Sequence, residues 1–152
     1  DKTFIVCNLP EKWFVENVIR ITNENDMPIK LNWSDEGVEY ICSGRITLDD
    51  VLTADDKVFS DPKFKRAQYI LINALDVDFV ELSELEIQID VTNDLTQSLK
   101  NESLKLAFIA AKPHLIAVAE LYVKTFRKKH IGWQVELFAT AQRAHHWITQ
   151  NK

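Results

Sequence analysis

The sequence predicts an α/β domain with a mixed, mostly parallel sheet that opens on a β-hairpin, in the order β-β-α-β-α-β-α-β-α. Three observations carry this. Two short apolar runs, Tyr69-Ile70-Leu71-Ile72 and Leu104 to Ala111, read as strands covered on both faces. Segments of helical spacing separate the strands, which implies right-handed crossovers and parallel pairing. Ahead of them, Ile29, Leu31 and Trp33 alternate with polar residues, the pattern of a half-buried strand. With only 3 glycines and 4 prolines in 152 residues, a turn-rich all-β fold is disfavoured.

The elements follow in order. After the first strand, Asp35-Glu36-Gly37 is a turn, Val38 to Cys42 is the second strand, and Gly44 ends it. Thr47, with Asp50 three residues on, caps a helix on which Leu48, Val51, Leu52, Val58 and Phe59 recur. Ser60-Asp61-Pro62 stops that helix, because the residue before a proline disfavours α geometry. The strand at residues 69–72 leads into a loop from Asp76 to Leu82. Ser83-x-x-Glu86 is a capping box. The stretch after it is ambiguous: Leu85, Ile87, Ile89 and Val91 alternate like a strand, while Leu85, Ile89, Leu95 and Leu99 share a helix face. The capping box favours the helix and leaves Ile87 outside the stripe.

Pro113 suits the first turn of the next helix, whose stripe is Leu115, Val118, Ala119, Tyr122 and Phe126. Arg127-Lys128-Lys129-His130 complements the dipole of its last turn, and Gly132 stops it. Trp133, Val135 and Leu137 form the last strand. Thr140 caps a final helix with Ala141, Ala144, Trp147 and Ile148 on one side.

Residues 1–26 do not fit this scheme. They read as an N-terminal extension, with Trp13, Phe14 and Ile19 packing on the domain, on a partner or on a second copy. The domain itself is expected over 27–152, and Met27 is a candidate for its start.

Composition limits the function. Apolar residues are 46% and charged residues 27%, which fits a globular chain. A net charge of −5 lacks the basic footprint of a nucleic-acid binder. The longest apolar run, Leu106 to Ala111, is far short of the ~20 residues that cross a bilayer. No signal peptide is visible. Cys7 and Cys42 are too few and too far apart for a disulfide scaffold or a zinc site, so reduced thiols and a cytoplasmic location are expected.

Catalytic and metal signals are weak. The glycines are too scattered for a phosphate loop. His145 and His146 are adjacent and point about 100° apart on a helix, so they are expected at the surface. His114 stands at a helix start, where it could meet an anion. Asp49, Asp50, Asp55 and Asp56 read as a solvated acidic face without the loop spacing of a calcium site. No enzyme, metal or cofactor is expected.

Several segments together resemble the STAS domains, the anti-sigma-factor antagonist superfamily, and especially its SpoIIAA-like branch. Gly44-Arg45-Ile46-Thr47 is similar to the turn after that superfamily's second strand. Residues 73–85 lay without a gap on its strand-loop-helix. Phe138 to Trp147, with Ala144-x-x-Trp147-Ile148, is similar to the branch's C-terminal ending. The resemblance implies a protein-binding regulatory domain. It places Ser83 on the position phosphorylated in antagonist proteins, where a phosphate would meet a helix N-terminus. Leu82, Glu84 and Glu81 depart from that motif, and the glutamates oppose a phosphate, so an ordinary N-cap is the favoured reading of Ser83. The implied partner surface is Thr47, Asp76, Asp78, Glu81 and Glu84, with a protein partner or a homodimer.

The branch also resembles the lipid-binding Sec14 domains in fold. That implies an alternative: a carrier or sensor of a small apolar ligand, with Leu115, Tyr122, Phe126, Trp133 and Trp147 lining its pocket. The same stripe also reads as plain core, because an amphipathic helix buries its apolar face.

Overall fold

A computed structural model describes residues 27–129 and 132–150. Within them the order is β1 (Ile29–Trp33), β2 (Gly37–Thr47), α1 (Leu48–Ser60), a short 3₁₀ turn (Pro62–Arg66), β3 (Tyr69–Glu81), α2 (Glu84–Ser98), β4 (Lys105–Ile109), α3 (Pro113–Lys129), β5 (Gln134–Phe138) and α4 (Ala141–Thr149). The expected order is therefore met. The five strands lie in sequence order across one sheet. β1 pairs antiparallel with β2, and every later pair is parallel. The expected extension at 1–26, with Trp13, Phe14, Ile19 and Cys7, lies outside the described residues, as does His130.

The helices divide unequally between the two faces. Val38, Tyr40, Cys42, Ile70, Leu106 and Val135 join residues of α1, α2 and α3 in the main core. On the opposite face Leu71, Ala107 and Ile109 pack with Ala144 and Ile148 of α4. β4 is thus covered on both faces, as its unbroken apolar run requires.

Local signals explain the helix starts. The expected capping box of Ser83 with Glu86 forms, and the expected cap at Thr47 is also a capping box, with Asp50; each cap side chain accepts from the third backbone N–H. Thr140 Oγ1 accepts from the Arg143 N–H at 3.3 Å. At the sheet's start, the close approach of β2 to β3 requires a glycine. A Cβ on Gly37 would stand 2.5 Å from the Tyr69 carbonyl oxygen.

Two expectations need correction. Gly44 does not end β2; the strand runs through it to Thr47, with Gly44 at φ +68°. Asp76 to Leu82 is not a loop either, because β3 continues to Glu81. The pairing register slips twice, between Ile41↔Asn73 and Ser43↔Asp76, and again between Gly44↔Val77 and Arg45↔Phe79, each time inserting one residue in β3. Bulges re-aim the strand and change which side chains face inward. Val77 is buried, while Asp76, Asp78 and Phe79 are exposed.

Helix α2 resolves the ambiguity after Ser83 but turns a different face inward. Its buried residues are Ile87, Asp90, Val91, Asp94 and Ser98. Leu85 is 67% exposed, Ile89 43% and Leu99 71%. The expected stripe of Leu85, Ile89, Leu95 and Leu99 is mostly the outer face, and Ile87 belongs to the core.

Candidate functional site: a buried acidic cluster beside an apolar cavity

α1 and α2 each turn carboxylates into the core. Asp55 lies on the buried side of α1 beside Ala54, Val58 and Phe59. Asp90 and Asp94 stand one turn apart on α2 and therefore share its inner face. Their exposures are 5%, 9% and 7% for Asp55, Asp90 and Asp94. One oxygen from each lies within 4.8 Å of the others. The expectation that Asp55 sits on a solvated face is thus overturned: it is one turn on from Val51 and points under the helix.

Two phenols hold the cluster. Tyr40 on β2 donates to Asp55 Oδ1 at 2.8 Å. Tyr122 on α3 donates to Asp94 Oδ2. The Asp90 carboxyl stands beside those of Asp55 and Asp94. Three oxygens remain without a donor among the described residues: Asp55 Oδ2, Asp90 Oδ1 and Asp94 Oδ1.

Burial dominates the electrostatics. It pushes Asp55 up to about 6, although the hydrogen bond from Tyr40 pulls the other way. It raises Asp90 and Asp94 well above the usual carboxylate range, and the neighbouring acids add to the rise. Tyr40 and Tyr122 are raised as well, by burial and then by the adjacent carboxylates. Burial also pushes the Cys42 thiol up to about 12, so it is an inert, apolar group.

The cluster borders a cavity of about 110 Å³ between the sheet and the helices. Its other walls are almost wholly apolar, with Ile29, Ile72, Val77, Ile87, Phe108 and Leu115 among them. A dry cavity of roughly 150 Å³ with such walls holds a benzene molecule. Orphaned acceptors at one end and apolar walls elsewhere suit a small amphiphile. The spread of the three carboxylate oxygens also lies within the span of a hard cation's ligand shell, where calcium–oxygen bonds run to about 2.3–2.6 Å.

The pocket residues expected from sequence separate. Leu115, Tyr122 and Trp133 line the cavity. Phe126 stands behind it, stacked on Tyr122 and Trp133 with ring centroids 6.0 Å apart in both pairs. Trp147 lies elsewhere, because α4 covers the opposite face of the sheet, where it packs on Phe138 at 5.4 Å.

The expected partner-surface residues are spread along one end of the sheet. Thr47 is half-buried as the cap of α1. Asp76, Asp78, Glu81, Ser83 and Glu84 are exposed. Glu81 accepts from Arg45 Nε at 2.9 Å, and Asp78 lies 3.5 Å from Lys112 Nζ. His114 is exposed and stacks on Phe79 at 5.7 Å. His145 and His146 are exposed on α4. No helix among the described residues is long and apolar enough to cross a membrane.

No family model and no curated protein matches this sequence. Among solved structures, the chain is similar to the anti-sigma factor antagonist SpoIIAA in its unphosphorylated form. The TM-score is 0.52 at 13% identity, over 80% of this chain and 98% of that one. It is also similar to an uncharacterized protein of SpoIIAA-like fold from Shewanella loihica, with a TM-score of 0.49 at 13% identity, over 79% and 91% of the two chains. The fold is SpoIIAA-like, as the resemblance implied.

Proposed function

We propose that this chain is a non-enzymatic binding domain that takes up a small, largely apolar ligand between its sheet and its helix layer and reports occupancy to a protein partner through α2. The observation that carries the reading is the cavity of about 110 Å³ with its apolar walls. Native cores are close-packed and hold few voids larger than a water molecule, so a chamber of this size and chemistry is a default binding site. Helix α2 links inside to outside. Ile87, Asp90 and Asp94 line the cavity, while Leu85 and Ile89 are exposed one turn apart on the other side. A shift of the helix on ligand entry changes the apolar surface offered outside. Contact with a protein is also in keeping with a fold shared with an anti-sigma factor antagonist. The free thiol of Cys42 suits a reducing compartment such as the cytoplasm.

Native mass spectrometry of freshly purified protein, paired with methyl NMR under xenon pressure, tests the cavity. A bound small molecule, or xenon shifts confined to Ile87, Leu115 and Val77, is the expected result. A clean apo mass with no methyl shift overturns the reading.

A further inference from the structure

The three carboxyl oxygens without donors define what the polar end of a ligand must be. Asp55 Oδ2, Asp90 Oδ1 and Asp94 Oδ1 are all acceptors, and the nearby phenols already spend their protons on Asp55 and Asp94. Leaving buried acceptors unpaired is costly, and the number of such groups in native proteins is small. Asp94 is the clearest case, 7% exposed, tied to Tyr122 through one oxygen and unpartnered at the other. A primary ammonium carries three N–H donors, one for each orphan. Its hydrogen bonds of about 2.8 Å, spread tetrahedrally, reach acceptors roughly 4.6 Å apart, and one oxygen of each carboxyl lies within 4.8 Å of the others.

We propose that the ligand is a small apolar amine, its ammonium group seated among Asp55, Asp90 and Asp94 and its hydrocarbon part in the adjoining cavity. This rests on the cavity reading above. The competing occupant of such a cluster is a divalent metal ion, and the lining goes against it. The lining is almost wholly apolar, offering little beyond the acids and phenols to complete a hard cation's oxygen shell. The cavity volume restricts the hydrocarbon part to a few carbons, smaller than the benzene that roughly 150 Å³ accommodates.

The test is a methyl-NMR titration of the full chain with n-butylamine, with its neutral isostere 1-butanol, and with magnesium, calcium and manganese chlorides. The amine is expected to bind at least about tenfold more tightly than the alcohol, because a charged hydrogen bond replaces a neutral one. The isosteric variants Asp55→Asn and Asp94→Asn are expected to abolish that preference while xenon still enters the cavity. Equal binding of amine and alcohol overturns the amine assignment and leaves the cavity reading standing. Absence of binding by both, together with no xenon shift, overturns both. A divalent ion that binds at the cluster and is not displaced by the amine overturns the assignment in favour of a metal site. The comparison of amine with alcohol on the unmodified protein decides the matter even if the variants fail to fold.

Discussion

The Tyr40 hydroxyl donates to Asp55 Oδ1 at 2.8 Å inside the core, and this bond ties β2 to α1 beside the cavity. Tyr40→Phe removes the donor and leaves the carboxyl oxygen buried. Chemical denaturation is expected to show a loss of about 1–3 kcal/mol. Because that bond pulls Asp55 down against burial, the Asp55 carboxyl is also expected to titrate above its present value of about 6. Unchanged carboxyl NMR titration in the variant would contradict this account of the cluster.

Stability should fall as pH rises. The unfolded chain holds its aspartate protons only up to about pH 4, whereas folded Asp55 holds its proton to about 6 and Asp90 and Asp94 hold theirs well above the usual range. The folded state therefore binds more protons in that window, and unfolding free energy decreases with pH through it. Asp55 alone accounts for a penalty on the order of 3 kcal/mol once pH exceeds its folded value. The urea midpoint is expected to be higher near pH 5 than near pH 8, by less in Asp55→Asn. A midpoint that rises over this range would refute the burial of the three acids.

The two faces of α2 make opposite predictions. Ile87 is 3% exposed, so Ile87→Ala should cost about 2–5 kcal/mol. Leu85→Gln and Ile89→Gln, on the outer face, should stay within about 0.5 kcal/mol of the parent while weakening contact with a protein partner. Thermal denaturation of the three variants distinguishes this orientation from the one with Leu85 and Ile89 inward.

Ser83 acts on stability through its cap. Its Oγ accepts from the Glu86 N–H at 3.1 Å, and the Glu86 side chain returns a bond to the Ser83 N–H at 3.2 Å. Ser83→Ala is expected to cost about 1 kcal/mol and Ser83→Gly only a few tenths. Equal losses for the two would remove the capping explanation.

The fold was more legible than the site for a physical reason. Strand runs, capping boxes and the proline after α1 are local signals, and each sits in the structure where its chemistry predicts. The acidic cluster is a long-range object: Asp55 meets Asp90 and Asp94 only because α1 and α2 pack side by side over the same sheet face. In the sequence Asp55 counts as exposed, because unpaired aspartates are seldom buried. The same prior works against a buried face that carries Asp90 and Asp94, and the stripe of Leu85, Ile89, Leu95 and Leu99 avoids both. The signal available was the Ile87, Asp90, Val91, Asp94 spacing itself. The β3 extension was legible too, in the alternation of Leu75, Val77 and Phe79 with Asp76 and Asp78, but the acids read as loop.

The bulged continuation of β3 has a consequence for solubility. β4 pairs with β3 only from Tyr69 to Asn73, and β1 pairs with β2 only as far as Cys42. Beyond those points residues 43–47 and 76–81 form a two-stranded ribbon with no further strand beside it among the described residues. Such an edge is a template on which foreign chains can polymerise. Here the ribbon is lined with Arg45, Asp76, Asp78 and Glu81, and the Lys112 ammonium donates to the Val77 carbonyl at 2.8 Å. These charges act as gatekeepers, letting an extended edge persist in water without recruiting a sixth strand.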